Sequence, residues 1–144
     1  MRSLALCVLV ACGSDEDPVV FPADYVASYT EVRDCRKSAD HDLHNIRVLA
    51  DPIALSSYQN RDAPFPFDST VLKEEYDFAD DACAGLLLEW TVMRRIASQD
   101  NGGWHWQRVD AGRSLITDDD ALCVGCHAGC GKPPDGFDGT CAVP

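Results

Sequence analysis

The chain has 144 residues, a formal net charge of −12 and eight cysteines. This length suits one domain with a modest core. The strong negative charge disfavours nucleic acid and anionic lipid headgroups as partners, because both carry phosphate charges of the same sign.

Residues 1–12 have the composition of a targeting segment. Arg2 supplies a positive charge, and the uninterrupted apolar run from Leu4 to Ala11 is too short to span a bilayer. The run ends Leu-Val-Ala-Cys, which resembles a bacterial lipobox, so we expect Cys12 to be acylated and to become the mature N-terminus. The alternative is an ordinary secretory signal whose cleavage site contains a cysteine.

Residues 13–20 begin with small, acidic and breaker residues, which predict a flexible tether. Gly13, rather than aspartate, follows Cys12, and in lipoproteins this favours the periplasmic side of the outer membrane. The domain itself is expected over residues 21–144. The periplasm is oxidising, so disulfide bonds are expected in it.

The first element predicted in the domain is a helix that begins at Pro22 and ends near Lys37. Its apolar residues recur at helical spacing, namely Tyr25, Val26, Tyr29 and Val32. A polar loop with His41 and His44 follows. Two nearby histidines in a loop are most often solvated, and a metal site there is the less favoured interpretation.

The next segments predict an antiparallel sheet. We expect strands over 46–50, 70–78, 86–96 and 104–109, a short helix from Asp51 to about Tyr58, and a proline-containing loop over 61–69. The Asp-Asn-Gly-Gly sequence at 100–103 predicts the turn between the last two strands. Residues 117–120 are expected to cap a short terminal helix. The predicted fold is α+β, with an N-terminal helix, a sheet of about four or five strands and a C-terminal helix.

The terminal helix carries Cys123-Val-Gly-Cys126-His127, the C-x-x-C-H signature of covalent haem c attachment. Each thiol can form a thioether with one haem vinyl group, and the imidazole of His127 is then placed as the proximal iron ligand. The alternatives are a chance match, a thioredoxin-like thiol pair or half of a zinc site. The βαβ setting of a thioredoxin-like pair is missing, and a zinc site would require Cys130 and Cys141 as further ligands.

Four cysteines remain outside the signal segment and this motif: Cys35, Cys83, Cys130 and Cys141. Four cysteines allow three pairings. We favour Cys130–Cys141, which closes a short loop rich in glycine and proline, together with Cys35–Cys83, which would tie the first helix to the sheet. Free buried thiols are the alternative.

Several short sequences occur in a characteristic order: Phe-Pro-Ala-Asp-Tyr from Phe21, Thr-Val-Leu-Lys-Glu from Thr70, Glu89, Gly-Trp-His-Trp from Gly103, and the late C-x-x-C-H motif. In these sequences the chain resembles the cytochrome P-460 family, which includes the c′-beta cytochromes. The resemblance implies an antiparallel sheet over the distal side of a single c-type haem. It also implies a sixth iron position that is open to a small nitrogen species, either hydroxylamine or nitric oxide.

The same resemblance implies two catalytic residues of a hydroxylamine-oxidising site. Lys73 stands where some members have a lysine cross-linked to the haem, and Glu89 stands where they have a carboxylate above the iron. The spacing from Asp68 to Lys73 is one residue shorter than in the family, and a slip of one residue turns a strand side chain to the opposite face. A surface position for Lys73 is therefore the alternative.

Two other functions remain open from the sequence. An electron-transfer cytochrome would have a closed sixth position, filled by Met93 or, as second choice, by His105. A structural or sensory haem lipoprotein would have no turnover. The expected partners are a periplasmic redox protein and the membrane, the latter through the lipid anchor only.

Overall fold

The computed structural model describes residues 19–134 and 136–141. The predicted signal segment with Cys12, and the tether except for its last two residues, lie outside the described residues. Those two, Val19 and Val20, pack against the domain, and the backbone N–H of Val20 donates to the side chain of Gln107 at 3.0 Å. Within the described ranges no helix is long and apolar enough to cross a membrane.

Six antiparallel strands form one sheet whose spatial order is the order along the chain. They are β1 (Thr30–Lys37), β2 (Asn45–Ala50), β3 (Thr70–Tyr76), β4 (Leu87–Arg95), β5 (Trp104–Asp110) and β6 (Leu115–Asp118). The other elements are the short helices α1 (Leu55–Asn60) and α2 (Ala121–His127) and the 3-10 segments Tyr25–Ala27 and Asp100–Gly103. The antiparallel sheet is confirmed, and it is larger than predicted.

The N-terminal helix predicted from Pro22 to Lys37 is wrong. Tyr25 begins a single 3-10 turn, and the rings of Tyr25 and Tyr29 lie 6.0 Å apart, so one turn accounts for their helical spacing. The chain then extends as β1, whose pairing with β2 shifts register twice. Each such bulge disrupts the alternation of inward and outward side chains. Because of the two bulges, the sequence of β1 lacks the alternating pattern that would have predicted a strand.

Two helix starts also differ from the prediction. The Asp51 carboxylate accepts the backbone N–H of Ala54 at 2.6 Å and holds a turn, so α1 begins only at Leu55. The acidic run before α2 was expected to act as one cap, but it divides between two elements. Asp118 ends the unpredicted strand β6, and Asp120 alone caps α2 through its side chain.

The two faces of the sheet bury different clusters. On one face, here called the helix face, α1 and the 61–69 loop cover the strands, with a core of Ile46, Val48, Ala50, Val71, Met93, Trp104, Trp106, Tyr58 and Phe65. On the opposite face, here called the N-terminal face, Phe21 and Tyr25 cover Leu49, Leu72, Trp90, Val92 and Val109. Successive strand residues point to opposite faces, so β2, β3, β4 and β5 each contribute to both clusters.

Disulfides join Cys35 to Cys83 and Cys130 to Cys141, the two pairs expected from the sequence. The first links β1, rather than the predicted helix, to the loop between β3 and β4. The second closes the tail that follows α2.

Candidate cofactor site

A cavity of about 540 Å³ is lined by the helix face of the sheet, the β1–β2 loop and α2. Its volume falls within the range of about 300–1,000 Å³ that is usual for ligand and cofactor sites. The apolar lining includes Val48, Val71, Met93 and Trp106. The polar lining includes Lys73, Glu75, Glu89, Thr91, Arg108 and His41.

The helix α2 brings Cys123, Cys126 and His127 to this cavity. Both thiols are free, and burial raises the pKa of the Cys123 thiol. His127 donates its Nδ1–H to the carbonyl of Gly139 at 2.7 Å, which leaves the lone pair on Nε2. Burial lowers the pKa of His127 to about 4. The imidazole is therefore neutral at neutral pH, as a metal ligand has to be.

Packing on both sides fixes the orientation of His127. The ring of Trp106 lies against the imidazole, with centroids 4.5 Å apart. Gly139 has a φ of +88°, and a Cβ there would lie 2.9 Å from the indole nitrogen of Trp104, so the residue that supplies the carbonyl has to be glycine. The Cys130–Cys141 disulfide closes the tail that carries it.

The donor set fits haem c better than zinc. Cys130 and Cys141, the further ligands that a zinc site would require, are joined to each other and have no thiolate to offer. In the described part of the chain, no three or more His, Cys, Asp or Glu residues are grouped so that they could hold a metal ion. Two free thiols on one helical turn, a neutral imidazole and an adjacent cavity are what covalent haem attachment requires.

Lys73 and Glu89 line the same cavity. The β3–β4 pairing aligns Lys73 with Thr91 and Glu75 with Glu89, and all four lie on the helix face. The shorter spacing before Lys73 has therefore not turned its side chain to the opposite face. Burial lowers the pKa of Lys73 to about 8, although the negative charge of Glu75 acts in the opposite direction.

Glu89 is paired with Arg108 on the neighbouring strand β5. The Nη2 of Arg108 donates to both carboxylate oxygens at 2.9 Å, and its Nε donates to one of them at 3.1 Å. The Glu89 side chain is 13% exposed. The carboxylate expected above the iron is thus held in a fixed orientation by a guanidinium rather than surrounded by apolar groups.

A polar group beside Lys73 was not predicted from the sequence. Glu75 is 2% exposed, and its two carboxylate oxygens accept hydrogen bonds from Nδ1 of His41 at 3.1 Å and Nδ1 of His44 at 2.9 Å. Thr91 donates its hydroxyl to Glu75 at 3.0 Å. Burial favours a higher pKa for Glu75, but the hydrogen bonds from the two histidines outweigh it and lower the pKa to about 2.

The imidazole of His41 also contacts the Lys73 amine through Nε2. The expectation that His41 and His44 are merely solvated is wrong, because their loop folds back over the sheet. The pairing of Asn45 with Tyr76 places this loop beside the end of β3. A hairpin between β1 and β2 would have suggested this position, but β1 was predicted as a helix.

The two candidate sixth ligands lie on different faces. Met93 is buried on the helix face and lines the cavity. His105 pairs with Arg94 and bonds Asp118 through Nε2 at 2.6 Å, outside the cavity lining. The interpretation of His105 as an iron ligand is therefore wrong, whereas Met93 remains a candidate.

A sheet whose cavity meets a helix with a C-x-x-C-H motif defines a cytochrome-like protein. The family model for Cytochrome P460 matches residues 22–133, and the chain belongs to this family. It is therefore a haem protein, as the resemblance predicted. No curated protein matches the chain significantly.

Proposed function

We propose that the protein is a periplasmic, lipid-anchored cytochrome with one covalent haem c, attached through Cys123 and Cys126 and ligated by His127. We further propose that it binds or oxidises a small nitrogen species, hydroxylamine or nitric oxide, at an open iron position. One observation carries this proposal: the motif lines the same cavity as Lys73 and Glu89.

The chain's own groups bind the ligand and handle its protons. When bound, the haem supplies an iron that exchanges electrons and coordinates a nitrogen ligand. Glu89, oriented by Arg108, accepts a proton from a ligand in the cavity as a general base. The Lys73 amine lies near Cys123 and either donates a hydrogen bond or, as the family resemblance implies, is linked covalently to the haem.

Covalent attachment is tested by acid–acetone extraction of protein that has been matured in the periplasm. The wild type should keep its haem, and a variant with Cys123→Ser and Cys126→Ser should release it. A variant with Cys35→Ser and Cys83→Ser removes two cysteines outside the cavity and should keep the haem. Loss of all haem from the wild type would refute covalent attachment.

The role of Glu89 is tested by hydroxylamine oxidation. Glu89→Ala should keep the haem but slow turnover by about 10²–10⁴-fold, the usual cost of removing a general base. Asp24→Ala is the control, since Asp24 is an exposed acid whose side chain makes no cap to the first 3-10 turn. Unchanged turnover in Glu89→Ala would assign the proton to another group.

The second candidate function is electron transfer with Met93 as the sixth iron ligand, and its position in the cavity favours it. The two functions differ in the spectrum of the ferrous protein. An open position gives a high-spin spectrum that changes with nitric oxide. A low-spin spectrum before any ligand is added, which becomes high-spin in Met93→Ala, supports electron transfer instead.

The lipid anchor rests on the sequence of residues 1–12. Cys12→Ala should release the protein from the membrane fraction, because the acylated residue is lost. Wild-type protein that fractionates as soluble and unacylated would contradict the anchor.

A further inference from the structure

We propose that Glu75, His41 and Lys73 form a carboxylate–imidazole–amine triad that accepts a proton from a weak acid bound in the cavity. The inference rests on the proposed function, with Lys73 as a free amine rather than one linked to the haem, because it assigns to the same cavity a second proton acceptor beside Glu89. The ligand class is a small molecule that gives up a proton when it binds or reacts.

The geometry is that of a base oriented by an anion. In such a triad a carboxylate holds one imidazole nitrogen, and the other nitrogen faces the group that gives or takes the proton. Glu75 accepts from Nδ1 of His41 at 3.1 Å, and Nε2 of the same ring contacts the Lys73 amine. The ionised carboxylate only accepts, so Nδ1 carries a hydrogen. Nε2 of His41 then has a lone pair, and it accepts a hydrogen from the Lys73 amine.

Glu75 suits this role better than the second cavity glutamate. The oxygens of Glu89 are occupied by the guanidinium of Arg108, which does not release protons near neutral pH. Glu75 instead binds two imidazoles, and its negative charge stabilises the His41 imidazolium once a proton has moved there. The pKa of Lys73, lowered to about 8 by burial, lies near the working pH that favours proton transfer.

The proton balance closes without a redox step. The ligand gives its proton to the lone pair of the neutral Lys73 amine, and the resulting ammonium passes one proton to Nε2 of His41. The side chains of His41 and His44 are 20% and 23% exposed, so the imidazolium can release its proton to water. The neutral amine is then restored.

Other charged groups also act on Lys73. Besides Glu75 they are Asp40 in the β1–β2 loop and Arg33 on β1, with the Glu89–Arg108 pair elsewhere in the cavity lining. Among the charged groups, Glu75 has the largest influence on the amine. The Cys123 sulfur carries no charge once it is a thioether. Replacing Glu75 should therefore shift the titration of Lys73 more than replacing Asp40.

Cyanide is a suitable probe, because hydrogen cyanide is a weak acid that binds ferric haem as the anion. Its association with the haem-loaded protein is followed by stopped-flow absorbance as a function of pH. In the wild type the rate should rise with pH and inflect where Lys73 becomes neutral, which is below the usual range of a lysine amine because burial lowers its pKa. Lys73→Met and His41→Gln should each slow association by about 10²-fold at pH 8, and Lys73→Met should also remove the inflection.

Three further variants sharpen this test. Glu75→Gln should move the inflection to lower pH, because loss of the anion disfavours the ammonium form of Lys73. His44→Gln removes a partner of Glu75 that has no contact with the amine, so its effect should be smaller than that of His41→Gln. His105→Gln removes a carboxylate-bound histidine on the other face and should change nothing. The Soret band and circular dichroism of each variant verify that the fold is kept.

The outcomes separate this inference from the proposed function. If Lys73→Met and His41→Gln keep both the rate and the inflection, the triad is wrong while the open position stands. If cyanide binds slowly to the wild type and to every variant, the open position is wrong. The low-spin ferrous protein is then diamagnetic, so ¹⁵N NMR spectra of its imidazoles can be recorded. These spectra test the triad. Protonation of His41 at Nδ1, with an Nε2 signal that responds to Lys73→Met, supports the triad, and protonation at Nε2 alone overturns it.

Discussion

Glu74 and Glu75 are neighbours on β3, each is 2% exposed, and they point to opposite faces of the sheet. On the N-terminal face, Glu74 accepts hydrogen bonds from the hydroxyls of Tyr25 and Tyr76 and from Nε of Arg47 at 2.7 Å. Burial and the bond to Glu74 raise the pKa of Tyr25 to about 12. The partners of Glu74 therefore keep their protons throughout the neutral range.

On the helix face, the partners of Glu75 are imidazoles, and one of them contacts an amine. They are His41 and His44, with Lys73 in contact with His41. The two glutamates are equally buried, so burial does not distinguish them. The difference between Glu74 and Glu75 lies in their hydrogen-bond partners. These partners determine whether a buried carboxylate only stabilises the fold or also takes part in the chemistry of the cavity.

Breaking the cluster on the N-terminal face should cost stability without touching the cavity. Glu74→Gln leaves Arg47 without its buried counterion and should lower the free energy of unfolding by about 3 kcal/mol, the lower end for a broken buried pair, because Arg47 is partly exposed. Urea unfolding measures this loss, and the pH profile of cyanide association should not change. A shifted profile would mean that the two faces are coupled.

The stability contributed by Glu75 should depend on acid. Its pKa is lowered from 4.5 to about 2 in the folded protein, so its contribution of about 3 kcal/mol is present above pH 4.5 and is lost as the pH falls towards 2. The difference in unfolding free energy between the wild type and Glu75→Gln should therefore shrink over this range. Asp24→Asn provides the control, and a constant difference would contradict the lowered pKa of Glu75.

The smallest effects come from removing one hydroxyl on each face. Tyr76→Phe and Thr91→Val each delete one hydrogen bond to a buried carboxylate and should cost about 1–2 kcal/mol in urea unfolding. Only Thr91→Val should also alter the cyanide pH profile, because Thr91 bonds Glu75. Equal changes in the profile of both variants would remove the distinction between the faces.

The central strands and the short helix that carries the C-x-x-C-H motif were predictable because their signals are local. In β3, β4 and β5 successive side chains point to opposite faces of the sheet over most of the length. A glycine turn separates β4 from β5. Leu87 is a local exception: a register shift pairs it with Tyr76, so it packs on the N-terminal face, whereas strict alternation from Glu89 would place it on the helix face. The extra residue at this shift is Leu88, and in the run Leu86-Leu87-Leu88 the sequence does not show which residue is extra.

The polar cluster around Glu75 was not predictable from the sequence. Alternation placed Glu75 and Lys73 on one face, but it does not say which loop covers that face. His41 and His44 reach Glu75 only because β1 and β2 form a hairpin, and the bulges in β1 concealed that hairpin. The cluster depends on tertiary contacts between residues more than thirty positions apart in the chain.

The order of the strands has a consequence for assembly of the site. Each strand pairs with the next one along the chain, so no strand takes its partner from beyond the neighbouring strand in the sequence. The helix α2 follows the last strand. A chain that extends only to Asp118 already contains every strand and the loop that bears His41. The pairing of the strands on the sheet side of the cavity therefore involves no residue of α2, and the surface that faces Cys123 and Cys126 is complete in its strand pairing without them.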